Sequence, residues 1–244
     1  MRFSLELNSD QKILNFSKNY PHQIQALIYQ NLPDEEAHHL HTEGFRYEKR
    51  TFKLFTFSRI QGKMPRKKNR NAFLFFSPIR IQIASAKDKI LQLLAANLIK
   101  KEYVQLGPHK LRLHSISVHK PLQFQPVMKI RMLSPMTMYS TLEKGDQKKI
   151  THYYTPFDQE FSELISSNLQ KKYYLLHNEN TTQQVHLTPL FQGNRERILI
   201  FKNTVIKAWD GQYLLQGPID LLKIAYDTGL GCKNSQGFGM WEAI

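Results

Sequence analysis

Three histidines that follow a run of acids near residue 40 form the first group that could do chemistry. His38, His39 and His41 lie within eight residues of the acidic run Asp34-Glu35-Glu36. Because His38 and His41 are three residues apart, they would share one face of a helix. Histidine transfers protons near neutral pH and is also a common metal ligand. The cluster therefore predicts proton transfer, a metal site, or an exposed helix without a catalytic role.

A metal-dependent nuclease would use Glu35, His38 and His41. The sequence contains neither the His-Glu-x-x-His motif of zinc proteases nor Asp-x-Asp pairs, and it has no second carboxylate cluster. Cys232 is the single cysteine, which excludes an intramolecular disulfide and a cysteine-based zinc site within one chain. We therefore predict that the protein uses no metal and no cofactor.

A glycine-rich loop near the end of the chain is the second such group. Four glycines fall within eleven residues that also contain Lys233. The spacing fits neither a dinucleotide-binding fingerprint nor a P-loop. Glycine allows positive φ and a close approach of backbone N–H groups to an anion, so the loop would fit a phosphodiester backbone. The alternative is structural, with the first glycine ending a helix and the others forming a tight turn. The residues predicted to bind such a backbone here are Gly229, Gly231, Lys233, Gly237 and Gly239.

Positive charge is concentrated in the first half of the chain. The formal net charge is +14; residues 1–122 hold 21 Lys/Arg against 9 Asp/Glu, whereas residues 123–244 hold 13 against 11. An excess of this size predicts an anionic partner, although a basic run can also be a solvated loop. The residues predicted to bind phosphates of that partner are Lys49, Arg50, Arg59, Lys63, Arg66, Lys67, Lys68 and Arg70.

The hydrophobic pattern predicts an α+β protein of two tandem ferredoxin-like domains, 1–122 and 123–244. Alternation from Arg2 to Leu7 indicates a strand, and helical spacing after Pro21 and after Ser85 indicates two helices. Strand-like patterns at 53–57 and 73–76 predict a hairpin with a long basic loop. A second βαββαβ order follows residue 122, with helices expected from Thr155-Pro156 and Pro218.

No apolar run reaches the length of a membrane span, and the first residues do not form a signal peptide. We therefore expect a cytoplasmic protein that does not bind a membrane.

The glycine loop resembles that of the CRISPR-associated endoribonucleases that process repeat RNA, the Cas-six family of the repeat-associated mysterious protein superfamily. The two predicted ferredoxin-like units are followed by one glycine pattern at residues 229–239: Gly-x-Gly, then five residues, then Gly-Phe-Gly. The strings Tyr20-Pro21-His22-Gln23, Leu27-Ile28-Tyr29, Leu40-His41 and Lys53-Leu54-Phe55-Thr56-Phe57-Ser58 are also similar to that family.

The resemblance implies cleavage of CRISPR precursor RNA within each repeat by attack of the 2′-OH, without a metal. The implied products are a 2′,3′-cyclic phosphate and a 5′-hydroxyl. His41 takes the general acid/base position, Tyr29 the tyrosine position and Lys53 the lysine position, with His38 and Tyr47 as alternatives. A non-catalytic subunit of the same fold that binds repeat RNA is the second hypothesis. Two further partners are possible for such a protein: a CRISPR effector complex, and a second copy of the chain in a homodimer.

Overall fold

The computed structural model describes residues 1–66, 72–144, 148–193, 195–201 and 204–244. In the first half, a π-helical turn His39–Glu43 accompanies three helices and nine strands among the described residues. These elements are β1 Arg2–Asn8, β2 Ile13–Ser17, α1 Pro21–Gln30, α2 Asp34–His38, β3 Phe45–Tyr47, β4 Arg50–Phe52, β5 Phe55–Phe57, β6 Ala72–Phe76, β7 Ile79–Ser85, α3 Asp88–Ile99, β8 Val104–Leu106 and β9 His109–Val118.

The second half of the chain continues with two helices and eight strands among the described residues, and a 3-10 turn Asn234–Gln236 lies in the glycine loop. These elements are β10 Val127–Met132, β11 Tyr139–Lys144, β12 Lys148–Tyr153, α4 Gln159–His177, β13 His186–Pro189, β14 Glu196–Phe201, β15 Thr204–Trp209, β16 Gln212–Gln216, α5 Ile219–Thr228 and β17 Trp241–Ala243.

The first sheet has five strands in the order β5-β7-β1-β9-β8. The predicted strand at the start of the chain is confirmed as β1, and Phe3, Leu5 and Leu7 are fully buried as expected; Arg2 and Ser4 on the other face are also buried, so the strand is covered on both sides there. In register, Leu5 lies opposite Ile81 of β7 and Ile116 of β9. Helices α1 and α3 join the central strands in the β-α-β-β-α-β order of a ferredoxin-like fold, with β8 added at one edge.

The predicted hairpin between 53–57 and 73–76 is wrong. Strand β5 pairs antiparallel with β7, with Phe57 opposite Ile83, whereas β6 pairs with β2, with Phe73 opposite Phe16. The two apolar runs therefore belong to different sheets. The basic segment connects these sheets and is not the loop of one hairpin.

The second sheet has the order β13-β16-β10-β17, which repeats the ferredoxin-like topology. Helices α4 and α5 provide the two crossovers, and α4 begins at Gln159 instead of at Thr155-Pro156 because Thr155 to Asp158 form a turn that precedes it. The fold class is thus confirmed. Two hairpins, β11–β12 and β14–β15, lie outside this sheet. No described helix is long and apolar enough to cross a membrane.

One buried core contains residues between 3 and 111, and a second contains residues between 128 and 241. The boundary between 122 and 123 stays a prediction. The two halves are joined by the buried Arg2, whose guanidinium donates to the Trp241 carbonyl at 2.8 Å and the Tyr226 carbonyl at 2.7 Å. Burial lowers the pKa of Arg2 to about 10, and its stacking on the Tyr226 ring at 3.5 Å adds a cation–π contact.

The glycine loop also joins the halves. Its Phe238 carbonyl accepts a hydrogen bond from Thr56 Oγ1 of β5 at 3.0 Å, and its Ser235 carbonyl accepts one from Gln25 of α1 at 2.7 Å. Gly237 packs on Phe57, where a Cβ would approach the ring to 2.5 Å. The loop is therefore seated on the first sheet, and its glycines allow that close contact.

We predict that Gly239→Ala destabilises the protein much more than Gly193→Ala. Both glycines have positive φ, near +80° and +86°, but a Cβ on Gly239 would overlap the Leu230 carbonyl oxygen whereas a Cβ on Gly193 has nothing within 4 Å. Gly193→Ala should cost about 1 kcal/mol for the left-handed backbone alone. Gly239→Ala should cost more than about 3 kcal/mol. Thermal melting checks this, and equal melting temperatures would contradict the packing role of the loop.

Candidate active site

A cleft of about 650 Å³ separates the two halves of the protein. One wall is the segment from Arg50 to Phe55, and the other combines Tyr139 to Thr141 of β11 with the glycine loop from Gly231 to Gln236. Helix α4 supplies the inner wall through two nearly fully buried polar residues. Among the described residues that line the cleft, four are basic and none is acidic. The basic residues are Arg50, Lys53, Lys172 and Lys233. This cleft attracts anions.

The three residues to which the resemblance assigned catalysis lie side by side. The rings of Tyr29 and His41 meet edge to face with centroids 5.6 Å apart, and Lys53 Nζ donates to the His41 carbonyl oxygen at 2.9 Å. Tyr29 also packs on Phe55 of β5 at 6.0 Å. Residues from α1, the π-helical turn and the segment before β5 thus converge, although they are far apart in sequence.

Local backbone geometry makes this meeting possible. The π-helical turn follows α2 directly and carries His41, and Gly44 ends it with φ of +60°. A Cβ on Gly44 would lie 2.7 Å from the Phe52 carbonyl oxygen and 2.9 Å from Lys53 Nζ. Only glycine leaves room here for the lysine ammonium group to reach the turn.

Burial shifts the pKa of two of these groups. It raises the pKa of Tyr29 to about 12, so its hydroxyl stays protonated at neutral pH. Burial also lowers the pKa of Lys53, because the partly enclosed ammonium loses hydration. The cluster offers an imidazole, a phenol and an amine, which are proton carriers and hydrogen-bond donors.

The two alternative residues have different surroundings. His38 is exposed at the end of α2, and Tyr47 packs its ring on Tyr174 of α4 at 5.2 Å. His39 is hydrogen-bonded to Glu43 at 2.9 Å. Across the described ranges, no three His, Cys, Asp or Glu residues group in a way that could hold a metal ion.

The glycine loop forms part of the cleft wall through its residues 231–236. The N–H groups of Gly229, Gly237 and Gly239 donate to the carbonyls of Ala225, Asn234 and Pro135 at 2.9–3.0 Å. These three N–H groups are therefore already used inside the protein, which favours the structural interpretation at these positions. The two predicted loop residues that do line the cleft are Gly231 and Lys233.

The predicted phosphate-binding residues between 49 and 70 lie in different surroundings in the structure. Arg50 lines the cleft, and Lys49 is exposed beside it. Arg59 instead forms an ion pair with Asp210 of the second half at 3.0 Å, so its charge already has a partner. Lys63 and Arg66 are exposed and come after the last residue of β5, whereas Lys53 comes before its first residue. Lys67, Lys68 and Arg70 lie outside the described residues.

Sequence reasoning missed two polar residues on the inner wall. Asn168 and Lys172 share the buried face of α4 with Phe161, Ile165 and Leu169. This spacing was readable, because residues 161, 165, 168 and 172 follow helical periodicity. Polar residues at core positions of such a stripe are a signal of function or of a buried hydrogen-bond network.

Comparisons with known proteins agree with one another. A family model described as CRISPR associated protein Cas6, C-terminal, matches residues 116–243. The chain is 28% identical over 244 residues to the CRISPR-associated endoribonuclease Cas6 of Pyrococcus furiosus, covering 98% of this chain and 89% of that protein. It is 27% identical over 249 residues to CRISPR-associated endoribonuclease Cas6 1 of Methanocaldococcus jannaschii, covering 98% and 91%.

Similar solved structures support the fold of this chain. A structure described as CRISPR associated protein Cas6 has a TM-score of 0.81 at 24% identity, covering 100% of this chain and 99% of that one. A protein of a Cas6-related gene from Pyrococcus furiosus has a TM-score of 0.85 at 20% identity, covering 100% and 98%. These identities support the fold alone. Since the family model covers more than half of the chain, the protein belongs to the Cas6 family of CRISPR-associated proteins.

Proposed function

We propose that this protein is a metal-independent endoribonuclease that cuts CRISPR precursor RNA within its repeats. The observation that carries the proposal is the meeting of Tyr29, His41 and Lys53 beside a cleft whose described lining is basic. The names of the two curated relatives, both endoribonucleases, support the activity. The proposed products are a 2′,3′-cyclic phosphate and a 5′-hydroxyl.

RNA carries its own nucleophile, because the 2′-OH lies next to the scissile phosphate. The protein then has three tasks: to remove the 2′ proton, to protonate the departing 5′ oxygen, and to stabilise charge on the phosphorane. His41 carries out proton transfer, which is typically worth ~10²- to 10⁴-fold in rate. A well-placed donor to the developing charge is worth roughly 10²- to 10³-fold.

Lys53 is suited to the charge-stabilising task. One N–H of its ammonium group is used on the His41 carbonyl at 2.9 Å, and the remaining two are free to donate to phosphate oxygens. Its side chain lines the cleft, so a phosphate there meets the lysine directly. The Tyr29 hydroxyl keeps its proton and so can serve as a donor to the RNA, and the edge-to-face contact of its ring helps to orient the imidazole.

The cleft binds the RNA strand on both sides of the scissile phosphate. Arg50 and Lys53 act from the first half, and Lys233 acts from the glycine loop of the second half. The Lys233 ammonium lies 5.1 Å from the Tyr139 ring centroid, so that ring and cation together form one side of the cleft. Because each neutralised phosphate releases counterions, affinity falls steeply with salt concentration.

We further propose that the protein works in the cytoplasm, and that a CRISPR effector complex or a second copy of the chain is a partner.

The mechanism predicts full activity in EDTA. The substrate is the repeat RNA obtained by sequencing and resynthesising the RNA that copurifies with the protein. Cleavage should proceed at the same rate in EDTA and in magnesium, because the nucleophile and the proton carriers need no metal. Loss of cleavage in EDTA with recovery in magnesium would overturn metal independence. Tight binding without product in either condition would instead favour a non-catalytic RNA-binding subunit.

Two neighbouring histidines provide a matched test of the catalytic group. His41→Ala should lower the single-turnover rate by roughly 10²- to 10⁴-fold while RNA affinity stays nearly unchanged. His39→Ala, two residues away and hydrogen-bonded only locally to Glu43, should cut at the rate of the unmodified protein.

Single-turnover rates and equilibrium binding of both variants are measured with the same RNA. If His41→Ala keeps its rate and His38→Ala loses it, the imidazole role moves to His38.

A further inference from the structure

Lys172 is a buried lysine on the inner wall of the cleft. Its side chain is 1% exposed, and its amine donates to the Gly229 carbonyl at 2.7 Å and to Asn234 Oδ1 at 2.8 Å. The Asn234 amide in turn donates to the carbonyls of Leu230 and Phe238 at 3.0 and 3.1 Å. Lys172 thus contacts the glycine loop from inside while also lining the cleft.

No described side chain near Lys172 supplies a full counter-charge. Cys232 is the titratable group that favours its charged form, and burial raises the pKa of that thiol, so it stays neutral at neutral pH. The other charged or titratable groups around this part of the cleft are Lys233 of the glycine loop, Arg50 of β4, Lys171 of α4, Tyr139 of β11 and Glu48, a carboxylate that favours the charged form of Lys171 but does not act on Lys172. Desolvation therefore dominates and lowers the pKa of Lys172 to about 7.

The hydrogen-bond geometry fits a neutral amine. A neutral amine has two N–H groups, and the two acceptors at Gly229 and Asn234 use both of them. A third N–H exists only in the ammonium form, and in the free protein it has no anion to meet. A buried cation without a partner is costly, and that cost disappears when a ligand brings negative charge.

The inner wall has a second unsatisfied group. Asn168 lies one helical turn before Lys172, is 5% exposed and lines the same cleft. Its Oδ1 is buried without a hydrogen-bond partner. A buried amide oxygen accepts hydrogen bonds, so the RNA that completes this wall offers it a donor, such as a ribose hydroxyl, while a phosphate meets the amine.

We propose that Lys172 is an RNA-binding residue that takes up a proton from solvent when a phosphate of the RNA enters the cleft, so that RNA binding and proton uptake are coupled. The inference rests on the proposed function only in naming RNA as the anion. The strand provides a phosphate close to the inner wall, and in this poorly hydrated environment its charge stabilises the ammonium form strongly. The other two N–H groups keep the glycine loop in place during the change.

The coupling has a defined sign. Protonation costs little below pH 7, where Lys172 is already charged, and the cost rises as the pH increases above that value. Affinity for RNA should therefore be highest near pH 6 and should fall by about tenfold by pH 8, since one proton is taken up per complex.

The test measures RNA binding at constant ionic strength from pH 6 to pH 8. The probe is the copurifying repeat RNA with one deoxyribose at the cut site, and the proteins are the unmodified chain, Lys172→Met and Lys171→Met. Lys171 is the matched control, because it is the preceding residue on α4 and its amine contacts Ser167 at 3.0 Å. Titration of histidines is common to all three proteins and cancels in the comparison.

We expect the unmodified protein and Lys171→Met to lose affinity in parallel by about tenfold, whereas Lys172→Met binds more weakly at pH 6 and changes much less with pH. The same slope in Lys172→Met would overturn the proposal. Lys172→Arg, which stays charged, should bind with little dependence on pH. Melting temperatures verify folding of each variant.

Calorimetry of the unmodified protein and of Lys172→Met in buffers of different ionisation heat counts the protons directly, and the histidine contribution cancels between the two proteins. Uptake at pH 8 of close to one proton more by the unmodified protein supports the coupling, and equal uptake overturns it. Cleavage of an all-ribose RNA is assayed separately, so a failure of the proposed nuclease activity is distinguishable from a failure of this coupling.

Discussion

The seating of the glycine loop on strand β5 is the contact on which the site depends. Thr56 and Phe57 of this three-residue strand contact Phe238 and Gly237, and Lys53 lies just before the same strand. One short piece of backbone therefore sets the distance between the catalytic cluster of the first half and the cationic wall of the second. A shift of this contact would change both sides of the cleft together.

The site combines groups with different electrostatic surroundings. His41 is exposed, whereas Tyr29 is half-buried and keeps its hydroxyl proton. Lys53 and Lys172 line the same cleft, but Lys172 is fully buried and loses far more hydration. The roles that we propose for the two lysines therefore differ: Lys53 is a donor to phosphate, and Lys172 is a group whose charge depends on the ligand. The same physical cause, burial, acts on all three shifted groups.

Much of the fold was readable from the sequence, because β1 alternates cleanly and the two βαββαβ orders follow from periodicity. The sequence does not show which strands pair. Strands β5 and β6 are both short and apolar, and the tertiary fold determines that they pair with β7 and β2. In the site, the residues of the cluster came from resemblance, and only the structure brings them within contact. Lys172 was missed because a lysine on an apolar helix stripe has no local signature of its partners.

The most direct measurement of the central claim replaces the ribose at the cut position of the repeat RNA with deoxyribose. The account predicts that this single change abolishes cleavage while binding stays intact, since the attacking oxygen is removed and the phosphates are kept. It also predicts that the all-ribose RNA yields a 2′,3′-cyclic phosphate and a 5′-hydroxyl. Continued cleavage of the substituted RNA, or products with a 5′-phosphate, would contradict it.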